Sequence, residues 1–114
     1  MKPLLPSLKE KKRYVVFGIL ADTSVRDSDA YSAIHESMHR FVGDKGMAMA
    51  GVQFIHEKWN TKKQRGIIRV THTSVDDLRA SFPFITTINH NKVVVYSVGV
   101  SGILAKAEKK WLAG

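Results

Sequence analysis

The spacing of apolar side chains changes along this chain, and each change predicts an element. Residues 13–20, "RYVVFGIL", are a β-branched and aromatic run of strand length. The cap and turn formers of "ADTSVRDSD" follow. From Ser28, the apolar positions Ala30, Ile34, Met38, Phe41 and Val42 share one helical face, which predicts a helix ending before Gly43 and Gly46. "AGVQFIHEKW" (50–59) alternates Val52, Phe54 and His56 with Gln53, Ile55 and Glu57 and is expected to be a strand. The polar "NTKKQ" then predicts a hairpin loop, with "RGIIRVTH" (65–72) as the returning strand.

Ser74 followed by Asp77 resembles a capping box, and Val75, Leu78, Phe82 and Ile85 continue at helical spacing. Pro83 lacks a backbone donor and crowds the carbonyl of Arg79, so a kink or an early stop is expected there. "KVVVYSVGV" (92–100) predicts the last strand. Ser101 is expected to cap "GILAKAEKKWLA", in which Leu104, Ala107 and Trp111 share a face while Lys106, Lys109 and Lys110 point elsewhere. The predicted order is β-α-β-β-α-β plus a C-terminal helix. This is the split βαβ of α+β ferredoxin-like and RNA-recognition-motif-like domains, a four-stranded antiparallel sheet with two helices on one face. The other face could meet a ligand, the last helix or a partner.

At 114 residues and 44% hydrophobic content, one domain over residues 1–114 is expected, led by a basic arm over residues 1–12. No run approaches the ~18 apolar residues of a membrane span, and the N-terminus has no signal-like apolar stretch. The chain has no cysteine, which rules out a disulfide framework or a thiolate metal site. A cytoplasmic location is the expectation.

Charge adds a direction. The net charge of +8 favours polyanionic partners, and it is segregated along the chain. Residues 1–13 and residues 58–65 each carry a local +4, and residues 106–110 carry +2. Between 22 and 44, Asp22, Asp27, Asp29, Glu36 and Asp44 outweigh Arg26 and Arg40, giving −3.

Four constellations bear on chemistry. Residues 65–72 match an RNA-binding strand signature at Arg65, Gly66 and Val70, yet its stacking positions hold Ile67, Arg69 and His72. Without aromatics that strand is a poor platform for bases. Trp59 is expected to pack at the hairpin base, the alternative being a stacking role. "HESMH" (35–39) has the HExxH spacing of zinc peptidases, but Val42 and Lys45 stand where the extended motif needs glycine and histidine. A small zinc protein is thus one rival reading. "GVSGIL" (99–104) is a strand-to-helix turn without the GxGxxG or Walker spacing that nucleotide binding would need. Serines, histidines and aspartates fall in turns and caps without forming a hydrolytic set, so no catalytic residue and no cofactor of its own is expected.

One combination is more specific. Arg13, Tyr14 and Phe17 on the first strand are followed by "EKWN" (57–60), "RGIIRVTHTSVDDLRA" (65–80) and "VGVSGILAKAEKK" (98–110). Together, over nearly the whole chain, these resemble the archaeal ribonuclease P protein component 2 family, related to a protein of the eukaryotic ribonuclease P and MRP complexes. Gly18 and Ile103 depart from the family pattern, where an acidic and a polar residue would be expected. The resemblance implies a fold like the RNA-recognition motif. It also implies an accessory subunit of a ribonucleoprotein endonuclease that removes 5′ leaders from precursor tRNA. Catalysis would belong to the RNA and its Mg²⁺ ions, and protein component 3 would be a companion in a dimer or heterotetramer. A general RNA-binding module of another ribonucleoprotein is the second rival.

The cations expected to grip phosphates are Lys11, Lys12 and Arg13 of the arm, Lys58, Lys62, Lys63 and Arg65 of the hairpin, and Lys106, Lys109 and Lys110 of the last helix. Such contacts position RNA more than they read its sequence. Ile67, Val93 and Val95 are expected on the sheet's open face as a protein interface, unless the last helix covers them.

Overall fold

The computed structural model describes residues 11–112; the earlier part of the basic arm lies outside them. Strand β1 (Lys12–Ala21) is followed by α1 (Asp27–Ala50), β2 (Gln53–Phe54), β3 (Arg65–Thr71), α2 (Val75–Ser81), β4 (Thr87–Ile88), β5 (Asn91–Ser101) and α3 (Leu104–Ala107). A wider π turn, Glu108–Leu112, extends α3. The strands form one antiparallel sheet in the order β2-β3-β1-β5-β4. That is five strands where four were expected.

The added strand is β4, whose Thr87 and Ile88 pair with Lys92 and Asn91. Asn89 and His90 turn the chain between them with φ of 52° and 69°, the left-handed pair that a tight hairpin needs. A two-residue strand carries too little alternation to be seen in sequence.

Three other expectations shift. Helix α1 does not stop at Gly43. That residue takes φ 74°, breaks the helix locally and lets it resume to Ala50, which is fully buried. The strand expected over 50–59 shrinks to Gln53–Phe54, because Tyr31 gathers the chain around itself. Its hydroxyl donates to the Ile55 carbonyl at 3.2 Å, while Phe54 and His56 each place a ring centroid 4.6 Å from it. Residues His56–Lys58 then form a 3₁₀ turn. Burial raises the Tyr31 phenol far above its ordinary pKa, so it stays a donor. Neither Ser74 nor Ser101 supplies a side-chain cap to α2 or α3. Pro83 acts as expected, ending α2 at Ser81 and opening a 3₁₀ turn.

The sheet separates two apolar clusters. Helices α1 and α2 cover one face, where Val15, Phe17, Ile19, Ile68 and Val70 meet Ile34, Met38, Leu78 and Phe82. On the opposite face Val16, Ile55 and Ile67 meet Ala107 and Leu112 of the C-terminal helical segment. This corrects the expected interface. Val93 and Val95 lie in the first cluster, and Ile67 is sealed beneath the C-terminal segment. Alternation along β5 puts Val94, not Val93 or Val95, on the other side.

Ile67 has no solvent exposure. Ile67→Ala should therefore cost about 2–5 kcal/mol, read as a lower denaturation midpoint at constant m-value. A cost well under 1 kcal/mol would mean that the C-terminal segment does not bury it.

Candidate nucleic-acid interface

The basic hairpin and the basic C-terminal segment, far apart in sequence, are brought to the same side of the sheet, while Arg13, which alternates with Val15 and Phe17 of the helical side, stands at the end of β1. β1 runs antiparallel to both neighbours, with Tyr14 opposite Ser101 and Gly18 opposite Arg65. The start of α3 therefore lies by Arg13, and its far end lies by the hairpin. Arg13 reaches the turn at Gly102, and its guanidinium donates to the Lys12 carbonyl at 3.0 Å.

Polar ties hold the far end of the segment. Asn60 Nδ2 donates to the Leu112 carbonyl at 2.8 Å and Arg65 Nη1 donates to the Trp111 carbonyl at 2.9 Å. These satisfy carbonyls that a helix end leaves open. Lys58 Nζ pairs with Glu108 at 2.9 Å. The hydrogen bond to Glu108 raises the Lys58 pKa above its ordinary value, so it carries full charge at neutral pH. Trp111 lies so close over Gly99 that any side chain there would overlap the indole. Trp59 packs at the hairpin base as expected, its ring centroid 6.0 Å from that of Phe17.

The expected cations consequently divide into two groups. Lys58 and Arg65 spend part of their bonding capacity on the C-terminal segment, and Lys12 donates to the Thr71 hydroxyl at 3.1 Å. Lys11, Lys62, Lys63, Lys106, Lys109 and Lys110 are exposed. Lys110 stands 5.1 Å from the Trp111 ring centroid, a cation–π contact. Arg69 was not among the expected site residues. It lies on the same face as Ile67, bonds Gln53 at 3.1 Å, and keeps a buried Nε without a hydrogen-bond partner. Its place in the alternation of β3 was the signal for it. Asp27, Asp29, Glu36 and Asp44 sit on α1, which packs against the other face. Charge segregated along the chain is thereby segregated in space.

The HExxH histidines share a helical face, with ring centroids 6.3 Å apart. His39 pairs with Asp44, and Glu36 pairs with Arg40 at 2.7 Å. Among the described residues no group of three or more histidine or carboxylate side chains could hold a metal ion, which leaves the zinc reading unsupported.

Residues 13–112 match the model of the Rpp14/Pop5 family. The chain belongs to that family. Similar Rpp14/Pop5 relatives include the "Ribonuclease P protein component 2" of Pyrococcus abyssi, 33% identical over 113 residues, covering 99% of this chain and 94% of that one. The protein of the same name from Thermococcus gammatolerans is 35% identical over 98% of this chain and 92% of its own. The one from Methanosarcina barkeri is 33% identical, with 98% and 80% covered. Among solved structures, a chain of the yeast ribonuclease MRP cryo-EM structure shares the fold, with a TM-score of 0.62 at 14% identity, covering 98% of this chain and 89% of that one.

The ties at Trp111 yield a direct check. Arg65→Met keeps the aliphatic stem but removes the donor, and should cost about 1–3 kcal/mol. In a Trp59→Phe background, Trp111 emission should shift to the red as the segment loosens. Unchanged stability and emission would show that this bond does not seat it.

Proposed function

We propose that this protein is a non-catalytic subunit of a ribonuclease P ribonucleoprotein, binding and stabilising the RNA that removes 5′ leaders from precursor tRNA. The reading rests on its near full-length similarity to proteins named ribonuclease P protein component 2. The structural observation that carries it is the seating of the lysine-rich C-terminal segment beside the hairpin that bears Lys62 and Lys63, on one side of the sheet. Long cations spread over a folded surface neutralise phosphates and release their counterions. Bond cleavage falls to the RNA and its Mg²⁺ ions. The protein lowers the repulsion that opposes the RNA's active fold.

Protein partners, component 3 among them, fit the helical side of the sheet. There Phe41 and Phe84 are 47% and 69% exposed, their ring centroids 5.9 Å apart. They line a groove with Ala33 and Ile85, bordered by Glu36 and Arg40. Exposed aromatics of this kind are what interface cores bury.

Charge reversal at Lys62 and Lys63 tests the RNA reading without touching the ties at Lys58 and Arg65. Affinity for ribonuclease P RNA should fall, and the slope of log K against log salt should flatten by about 1–2. The reconstituted enzyme should also need more Mg²⁺. An unchanged slope would refute the hairpin's role. For the protein contact, Phe84→Ser should reduce association with component 3 in size-exclusion chromatography with light scattering, leaving RNA affinity intact. Unaltered association would move the partner elsewhere.

A further inference from the structure

The C-terminal segment covers only part of the face on which it lies. Beside the row of Ile67, Val16 and Gly99 comes the row of Arg65, Gly18 and Tyr96, and beyond that Leu20 pairs with Val94. Leu20 is 61% and Val94 58% exposed. Tyr96 is half-buried, and what lies beneath its ring is backbone: a Cβ added at Gly18 would stand 2.5 Å from the phenol Cζ and hydroxyl oxygen. The ring thus extends from β5 across β1, toward the strand that carries Arg65. Among the described residues no other aromatic ring stacks on it, and its hydroxyl makes no side-chain hydrogen bond.

A tyrosine laid over a glycine and flanked by two exposed aliphatics offers a surface for a planar π-system. Its border is cationic. Arg65 has committed one N–H to the Trp111 carbonyl and holds more donors in its fork. Lys92, two residues before Val94, is exposed on the same side. One tyrosine and two aliphatics make a patch far smaller than the roughly 800 Å² that each partner of a stable protein interface buries. A single base with its ribose matches it.

We propose that this open half of the sheet is a stacking site for one unpaired nucleotide of an RNA strand. The base lies on Tyr96, its sugar and edge rest on Leu20 and Val94, and the neighbouring phosphates meet Arg65 and Lys92. The site deepens the RNA-binding reading and rests on it. It places stacking on β5, although β3 lacks the aromatics for it.

The test compares a short labelled single-stranded RNA of mixed sequence with a fully paired hairpin RNA of equal length, using the full chain. Tyr96→Leu keeps a side chain over Gly18 and removes the π-face. It should weaken single-strand binding about tenfold, leave hairpin binding and the salt slope unchanged, and be rescued in Tyr96→Phe. Ultraviolet crosslinking of the unmodified protein should map to the peptide containing Tyr96, which decides the matter even if the leucine variant fails to fold. Wild-type affinity in a folded Tyr96→Leu variant, or crosslinks confined to other peptides, would overturn the site. So would loss of a protein subunit, rather than RNA, from that variant. If Lys62 and Lys63 still set the salt slope while Tyr96 is indifferent, only this site fails and the broader reading stands.

Discussion

Trp111 over Gly99, with Ala107 and Leu112 against Val16 and Ile67, closes part of a sheet face that would otherwise stand in water. Burying one aliphatic side chain of this size contributes about 1.5–3 kcal/mol. That gain keeps a helical segment too short to persist alone in place. Polar ties from Lys58, Asn60 and Arg65 set its position, and Gly99 sets how close it can come. Everything basic on this side depends on that seating. Without it, Lys106, Lys109 and Lys110 would have no fixed relation to Arg13 or to the hairpin.

The same sheet acts as an electrostatic divider. The carboxylates of α1 lie on one side and the lysine-rich segment on the other. In the proposed reading, a folded RNA approaching the basic side would meet cations held at a spacing that the sheet dictates. The groove at Phe41 and Phe84, with both apolar and polar walls, opens on the helical side. Under the proposed function, RNA and a protein partner would occupy opposite faces without competing.

The long strands were readable from local pattern. β1, β3 and β5 appear within about a residue of where their β-branched runs predict, because each run is long enough to show its period. Helix α2 ended where Pro83 removes a donor. The failures are also physical. Gly43 looked like a terminator and is a kink, since packing of Ala50 stabilises the helix beyond it. Residues 50–59 carried a clean alternation, yet a 3₁₀ turn packed on Tyr31 takes His56–Lys58 out of the sheet. Lys58 and Arg65 looked like phosphate ligands of the same kind as Lys62 and Lys63. Only their partners across the fold distinguish them.

Composition and order alone determined a basic α+β domain with segregated charge and no cysteine chemistry, because these properties reside in residue identity and short-range periodicity. The tertiary structure decided which cations face outward and which hold a helix. It also decided that Ile67, Val93 and Val95 are core while Leu20 and Val94 are surface. A strand's alternation sorts its side chains into two sets, but which set meets water depends on what packs above each face, and contacts between residues far apart in sequence settle that here.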